Sequence, residues 1–233
     1  MDILFIQNMH KTTIIIPFRD RDAHLKYFLE HTVPILNECL PNTKVVVIEQ
    51  ADTKLFNRGA LLNIGFKECE NKTEYFITHD VDMNPSHEVI RDIYSQEGRD
   101  VIRIRSAHKR SLGGVAKFKH DVIFDINGFP NNIWGWGIED RALFYKCYIK
   151  QIPVFDDGKK KSFRILPHKS NENMNYVGDK KIISDMWTQP YIDCLDNQMK
   201  IEMITSSGIN NLEYTVIDRQ TIRENVELIK VVF

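Results

Sequence analysis

Within its first 80 residues the chain repeats one pattern three times. TTIIIP at 12–17, KVVVIE at 44–49 and YFIT at 75–78 are short apolar runs rich in β-branched or aromatic residues, the signature of strands buried on both faces. Between the first two runs, Leu25, Phe28, Leu29, Val33, Ile35 and Leu36 fall on one face of a helix, with Asp20 or Asp22 placed to cap it. Between the second and third, a loop over 50–57 leads into a helix over about 58–69 that buries Leu61, Leu62, Ile64, Gly65 and Phe66. Strand, helix, strand, helix, strand at this spacing predicts a largely parallel α/β sheet with helices on its faces and right-handed crossovers.

The rest of the chain continues the alternation. Helical spacing covers 86–94, 120–126, 139–150 and 182–194, and strands are expected at 101–104, 115–118, 152–155, 163–166, 213–217 and 226–232. Residues 169–181 form a polar stretch around Gly178, read either as a lid or as an irregular excursion. There is no repeat and no linker, so 233 residues are read as one domain. A net charge of -1 offers no overall field to nucleic acid or an anionic membrane, and no apolar run reaches the roughly 18 residues of a membrane span. Cys39, Cys69, Cys147 and Cys194 have no paired spacing and read as free thiols in a reducing compartment.

Two stretches carry chemistry. His79-Asp-Val-Asp82 closes the third strand, and in open α/β sheets ligands bind beyond the carboxyl ends of strands. Asp80 and Asp82 share a side of an extended segment. As hard oxygen donors they suit manganese or magnesium with substrate phosphates completing the shell; Asp-x-Asp is equally a turn sequence. The second stretch, 127–140, reads NGFPNNIWGWGIED. Gly128, Gly135 and Gly137 imply sharp turns or close approach to a ligand, and Trp134 and Trp136 offer flat faces to a sugar ring. Glu139 and Asp140 then open a helix, where acids also suit the helix dipole. Gly113-Gly114 either lets a ligand approach the backbone or makes a bend.

Together these residues resemble the β-1,4-galactosyltransferase family of inverting, metal-dependent glycosyltransferases. The resemblance runs from about residue 12 to the C-terminus. It rests on IPFRDR at 16–21, FNR at 56–58 with LLNIGF at 61–66, Asp80-Val-Asp82, Gly113-Gly-Val115, NGFPNN-WGWG-ED at 127–140, and GINNLEY at 208–214. It implies a GT-A fold: one α/β domain with a Rossmann-like, mostly parallel mixed sheet, a nucleotide-binding half over about 12–110 and an acceptor-binding half over about 111–233. It further implies a UDP-sugar donor, a carbohydrate or glycoconjugate acceptor and a divalent cation, manganese or magnesium. By the resemblance, Pro17, Phe18, Arg19, Arg21, Phe56, Arg58, Asp80, Val81, Asp82 and Gly114 contact the donor, and Trp136 packs on donor and acceptor. Gly137 lines the acceptor site, Glu139 contacts donor or acceptor, Asp140 is the catalytic base, and Asp82 and His168 hold the metal.

Three departures from the family pattern bear on substrates. Ile165 stands where the family often has a metal-binding Met. Ser111 stands where many members have a Tyr that excludes an N-acetyl group from the donor. Arg141 stands where an acid often holds the acceptor sugar. The leading expectation is β-linked transfer of a hexose, galactose first. The alternatives are a chondroitin-polymerase-like N-acetylgalactosaminyl- or hexosyltransferase and a catalytically inactive carbohydrate-binding relative. Secreted-pathway members carry a membrane anchor and disulfides. Without either in the sequence, the expectation is a soluble cytoplasmic enzyme of a microbe or virus, or a trimmed catalytic domain from the Golgi lumen.

Overall fold

A computed structural model describes residues 10–135, 137–156, 162–167, 202 and 205–233. Ten strands are found among them: β1 His10–Phe18, β2 Thr43–Gln50, β3 Thr73–His79, β4 Met83–Pro85, β5 Val101–Arg105, β6 Val115–Lys119, β7 Val154–Phe155, β8 Phe163–Ile165, β9 Thr215–Arg223 and β10 Val226–Val232. Eight form one sheet in the order β7-β5-β6-β3-β1-β2-β10-β9, and β4 pairs with β8 in a second ladder. The three runs that open the chain are the centre of the sheet, with β1 parallel to both β2 and β3. The parallel expectation holds there and for β10 beside β2 and β7 beside β5. Three pairings, β3/β6, β5/β6 and β9/β10, are antiparallel, so the sheet is mixed.

β1 separates two apolar clusters by alternation. Ile15 faces one with Val46, Ile48 and Phe76, whereas Ile14 and Ile16 face the other with Val45, Val47 and Ile77. The first cluster is covered by α3 (Arg58–Glu68) and α6 (Glu139–Ile149). The second is covered by α1 (Asp22–Tyr27) and α2 (Val33–Cys39), joined through a π-turn at Phe28–Thr32. Further helical segments are α4 (His87–Val89), which continues into a π-turn, and α5 (His120–Asp125). α3 lies unusually close to β1: a Cβ on Gly65 would meet Ile15 Cγ2 at 2.3 Å.

β9 is longer than expected, because its exposed outer edge carries charged and polar residues that conceal the strand period. The expected helix near 182–194, the polar stretch 169–181, Trp136, His168 and Cys194 lie outside the described residues. Cys39, Cys69 and Cys147 are free thiols, and burial pushes the last two up to about 11 and about 12. No helix among the described residues is long and apolar enough to cross a membrane.

Candidate active site

Three loops leave the carboxyl ends of β1, β2 and β3 and meet the start of α6. After β1, Arg19 donates from Nη1 to Lys54 O at 2.6 Å and its guanidinium lies 5.4 Å from the Phe56 ring centroid. Pro17 and Phe18 are buried within β1, Val81 is buried after β3, and the Phe18 and Val81 side chains join the second apolar cluster. Arg21 occupies the N-cap position of α1. After β2, Asn57 caps α3, its side chain accepting from Ala60 N at 3.0 Å. That cap fixes the next residue, Arg58, at the head of the helix and aims it across the sheet end.

Arg58 donates from Nε to Asp80 Oδ1 at 2.8 Å, and its Nη1 lies 3.7 Å from Glu139 Oε1. One guanidinium therefore joins the acids that end β3 and begin α6. The pair is not closed: both Arg58 Nη atoms and Glu139 Oε2 are buried without a hydrogen-bond partner among the described residues. Burial and the neighbouring Asp140 push the Glu139 carboxyl up, with Arg58 opposing. Asp140 lies beside it but is only half-buried. Its Oδ1 accepts from Arg141 N at 2.8 Å, and its Oδ2 accepts from the Ser111 hydroxyl. A Cβ on Gly113 would come within 2.5 Å of Asp140 Oδ2, so the first glycine of the pair makes room for this carboxylate. Gly114, at φ +70°, packs against Met83 and Arg105 O.

Asp82 sits in the turn from β3 to β4, and His79 braces that turn by donating from Nδ1 to Asp80 O at 2.9 Å. Leu166 N donates to Asp82 O at 2.9 Å, just beyond β8. The Asp82 carboxylate, a hard oxygen donor, suits manganese, with diphosphate oxygens as further donors. Among the described residues no group of three His, Cys, Asp or Glu is gathered. Ile165 is exposed and pairs with Met83 across the ladder.

The stretch 127–135 hangs on amide side chains. Asn63 donates to Phe129 O at 2.6 Å and accepts from Phe129 N at 2.8 Å. Asn57 donates to Asn131 O at 2.6 Å, and Asn131 donates to Gly208 O at 2.6 Å. Lys146, buried in α6, donates to Asn127 O, Gly128 O and Ser207 O at 2.7–3.1 Å. Gly135 N donates to Phe56 O at 2.8 Å, which lays the aromatic loop over the β2 loop. Trp134 meets the Phe233 ring edge-on at 5.4 Å, and Lys54 and Asp52 hold the Phe233 main chain. A Cβ on Gly137, at φ +90°, would meet nothing within 4 Å among the described residues. Ile138 follows at φ +85°, a costly conformation for a β-branched residue; its side chain is buried with Ile133 and Ala142.

Residues 6–95 match the N-terminal region of glycosyl transferase group 7, and residues 96–169 match the N-terminal domain of galactosyltransferase. Bovine β-1,4-galactosyltransferase 1 is 33% identical over 224 residues, covering 91% of this chain and 52% of its own length. The chain belongs to the β-1,4-galactosyltransferase family. The human family member β-1,4-galactosyltransferase 6 is 34% identical over 201 residues, 80% of this chain and 51% of its own. The chain thus spans about half the length of these curated relatives. Among solved structures, the catalytic domain of Drosophila β1,4-galactosyltransferase 7 in complex with xylobiose superposes with a TM-score of 0.77 at 20% identity, covering 96% of this chain and 94% of that one. The fold is the GT-A fold expected of a β-1,4-galactosyltransferase.

Sequence reasoning named Arg58, Asp80, Glu139 and Asp140 separately, and the structure gathers them around one guanidinium. It did not anticipate Asn57 and Asn63. Asn57 carries a readable signal, an N-cap residue immediately before a helical run. Asn63 carries none, since its partners lie far along the chain. Ser111, which stands where many members have a donor-selecting Tyr, is fully buried and its hydroxyl is bonded to Asp140.

Proposed function

We propose that this chain transfers a hexose, galactose first, from a UDP-sugar to a sugar hydroxyl with inversion, Asp140 acting as general base. The observation that carries this reading is the unequal placement of two adjacent acids. Glu139 is buried against Arg58, whereas Asp140 keeps a half-exposed carboxylate beside it. A family relative, Drosophila β1,4-galactosyltransferase 7, has been solved as a mutant in complex with manganese, UDP-Gal and xylobiose, which supports a galactosyl donor, a saccharide acceptor and a divalent cation here.

In this reading the half over 12–110 binds nucleotide and the half over 111–233 binds acceptor. Phe56 and Arg58 hold the uracil and ribose. Arg19 and Arg21 answer the diphosphate with fixed positive charge. Pro17, Phe18, Val81 and Gly114 contribute main-chain contacts, and Asp80 and Glu139, tied to Arg58, meet the donor sugar. The open side at Gly137, with Trp136, receives the acceptor. Asp82 and His168 would hold the metal, which when bound would supply positive charge beside the departing diphosphate. Asp140 takes the proton of the acceptor hydroxyl. The electron pair so freed forms the new bond to the anomeric carbon from the face opposite the diphosphate. The bond to the diphosphate breaks, and its electrons remain on the phosphate oxygen. One displacement gives a β-linked product from an α-linked donor.

The test is turnover with manganese across UDP-galactose, UDP-N-acetylgalactosamine, UDP-glucose and UDP-N-acetylglucosamine, with N-acetylglucosamine, glucose and xylose as acceptors. UDP-galactose should be the preferred donor, and chelator should abolish transfer. Asp140→Asn should lower kcat by about 10²–10⁴-fold while leaving UDP affinity within twofold. Preference for UDP-N-acetylgalactosamine would move the assignment to the N-acetylgalactosaminyl alternative. An Asp140→Asn protein as fast as wild type would remove Asp140 from the mechanism.

A further inference from the structure

The carboxylate assigned as base is held by a buried hydroxyl. Ser111 is fully buried, and its Oγ is bonded to Asp140 Oδ2. An ionised carboxylate only accepts, so the hydrogen on that bond belongs to Ser111. The same oxygen accepts from Gly113 N at 3.3 Å and meets the Ser106 hydroxyl at 3.0 Å. Leu112 N donates to Asp140 O at 3.1 Å, which pins the main chain of the base as well as its side chain. Gly113 completes the cradle: any Cβ there would strike Oδ2. The segment 111–113 thus touches Asp140 at its oxygen, its backbone and its flank, each contact through a different residue.

Resting on the assignment of Asp140 as base, we propose that Ser111 is a positioning residue for that base, and that its hydroxyl serves Asp140 rather than the donor sugar. A freely rotating carboxylate would also face Arg58 and Glu139, both of which interact with it electrostatically. Rotation toward the Arg58 guanidinium would turn the base away from the acceptor. The Ser111 bond selects the other orientation. Its donor engages Oδ2 and Arg141 N engages Oδ1, so each oxygen retains a second lone pair for the incoming hydroxyl. A displacement of the reacting oxygen by about 1 Å costs on the order of 10²-fold in rate, which sets the ceiling of the effect.

The experiment compares Ser111→Ala, Ser111→Gly, Ser111→Thr and Asp140→Asn in the full chain, with thermal unfolding to establish that each is folded. Loss of the hydroxyl in either Ser111→Ala or Ser111→Gly should lower kcat by about 10- to 100-fold. KM for UDP-galactose should stay within twofold, and the ratio of UDP-galactose to UDP-N-acetylgalactosamine turnover should not change. Ser111→Thr, which keeps the hydroxyl, should recover most of the lost kcat. Wild-type kcat in a folded Ser111→Ala protein would overturn the proposal, provided Asp140→Asn is impaired. A changed donor ratio with unchanged kcat would also overturn it, by returning Ser111 to the donor pocket. If Asp140→Asn is itself fully active, the base assignment falls, and the Ser111 proposal falls with it.

Discussion

The two ends of the stretch 127–140 are built on opposite terms. At Asn127, Gly128, Phe129 and Asn131 the main chain is bonded to Asn57, Asn63, Lys146 and the segment 205–211, and the amides answer one another in pairs. At Ile138 the backbone adopts a disfavoured conformation, and at Glu139 a buried carboxylate oxygen, like the buried Nη atoms of Arg58, has no hydrogen-bond partner among the described residues. The first end spends polar groups on shape. The second withholds them, leaving donors and acceptors that a substrate can satisfy. Buried polar groups are normally satisfied because leaving one open costs about 1–3 kcal/mol. Open ones beside a half-exposed Asp140 therefore mark the side of the motif where binding energy is to be gained.

The largest test of this contrast is at Asn63. Asn63→Ala should destabilise the protein by about 3 kcal/mol, because it leaves both Phe129 N and Phe129 O unbonded in the core. Turnover per folded molecule should be preserved within a few-fold. Chemical denaturation with parallel kinetics decides this, and a stable but inactive Asn63→Ala protein would break the division between the two ends. Next in size is His79, which braces the Asp80 turn and is fully buried. Burial lowers its pKa from 6.5 to about 4. The unfolded chain therefore takes up a proton before the folded one does, and stability present above pH 6.5 is lost as pH falls toward 4. That shift is worth about 3 kcal/mol. In His79→Gln the acid limb of a stability profile should flatten by about this amount.

The smallest effect has the opposite sign. Burial raises the Glu139 pKa, so its stabilising contribution is greatest below the unfolded value of 4.5 and is lost as pH rises. Glu139→Gln should raise stability at pH 8 by roughly 1 kcal/mol, with the gain vanishing below pH 4.5, while turnover falls. Thermal melts at the two pH values measure it. A Glu139→Gln protein destabilised at pH 8 would show that the carboxylate already stabilises the unliganded fold, which would sharpen the contrast into one of degree.

The same two ends explain what could be read in advance. β1, β2 and β3 were legible because strands buried on both faces are near-continuous apolar runs, and Asp80, Asp82 and Glu139 stand at element ends where composition speaks. The sheet order was not legible. β6 enters antiparallel between β3 and β5, and β10 returns to lie beside β2; neither choice leaves a local trace. The Asn63 and Lys146 anchors and the Ser111 bond were hidden for the same reason. Each is a polar residue whose meaning depends on a partner brought near only by folding. Ser111 shows this well: its position in the sequence bears on the donor, whereas its bond to Asp140 appears only in the fold.

Gly65 places a limit on the whole arrangement that is mechanical rather than chemical. α3 presses on Ile15 at this residue, seven positions from Arg58, or about 10 Å along the helix. A helix held there is a lever with its fulcrum in the core and its working end among the acids. A methyl group added at Gly65 would lift the fulcrum and swing the guanidinium, so the alignment of Arg58 with Asp80 and Glu139 is set by how thin the contact beneath α3 can be made.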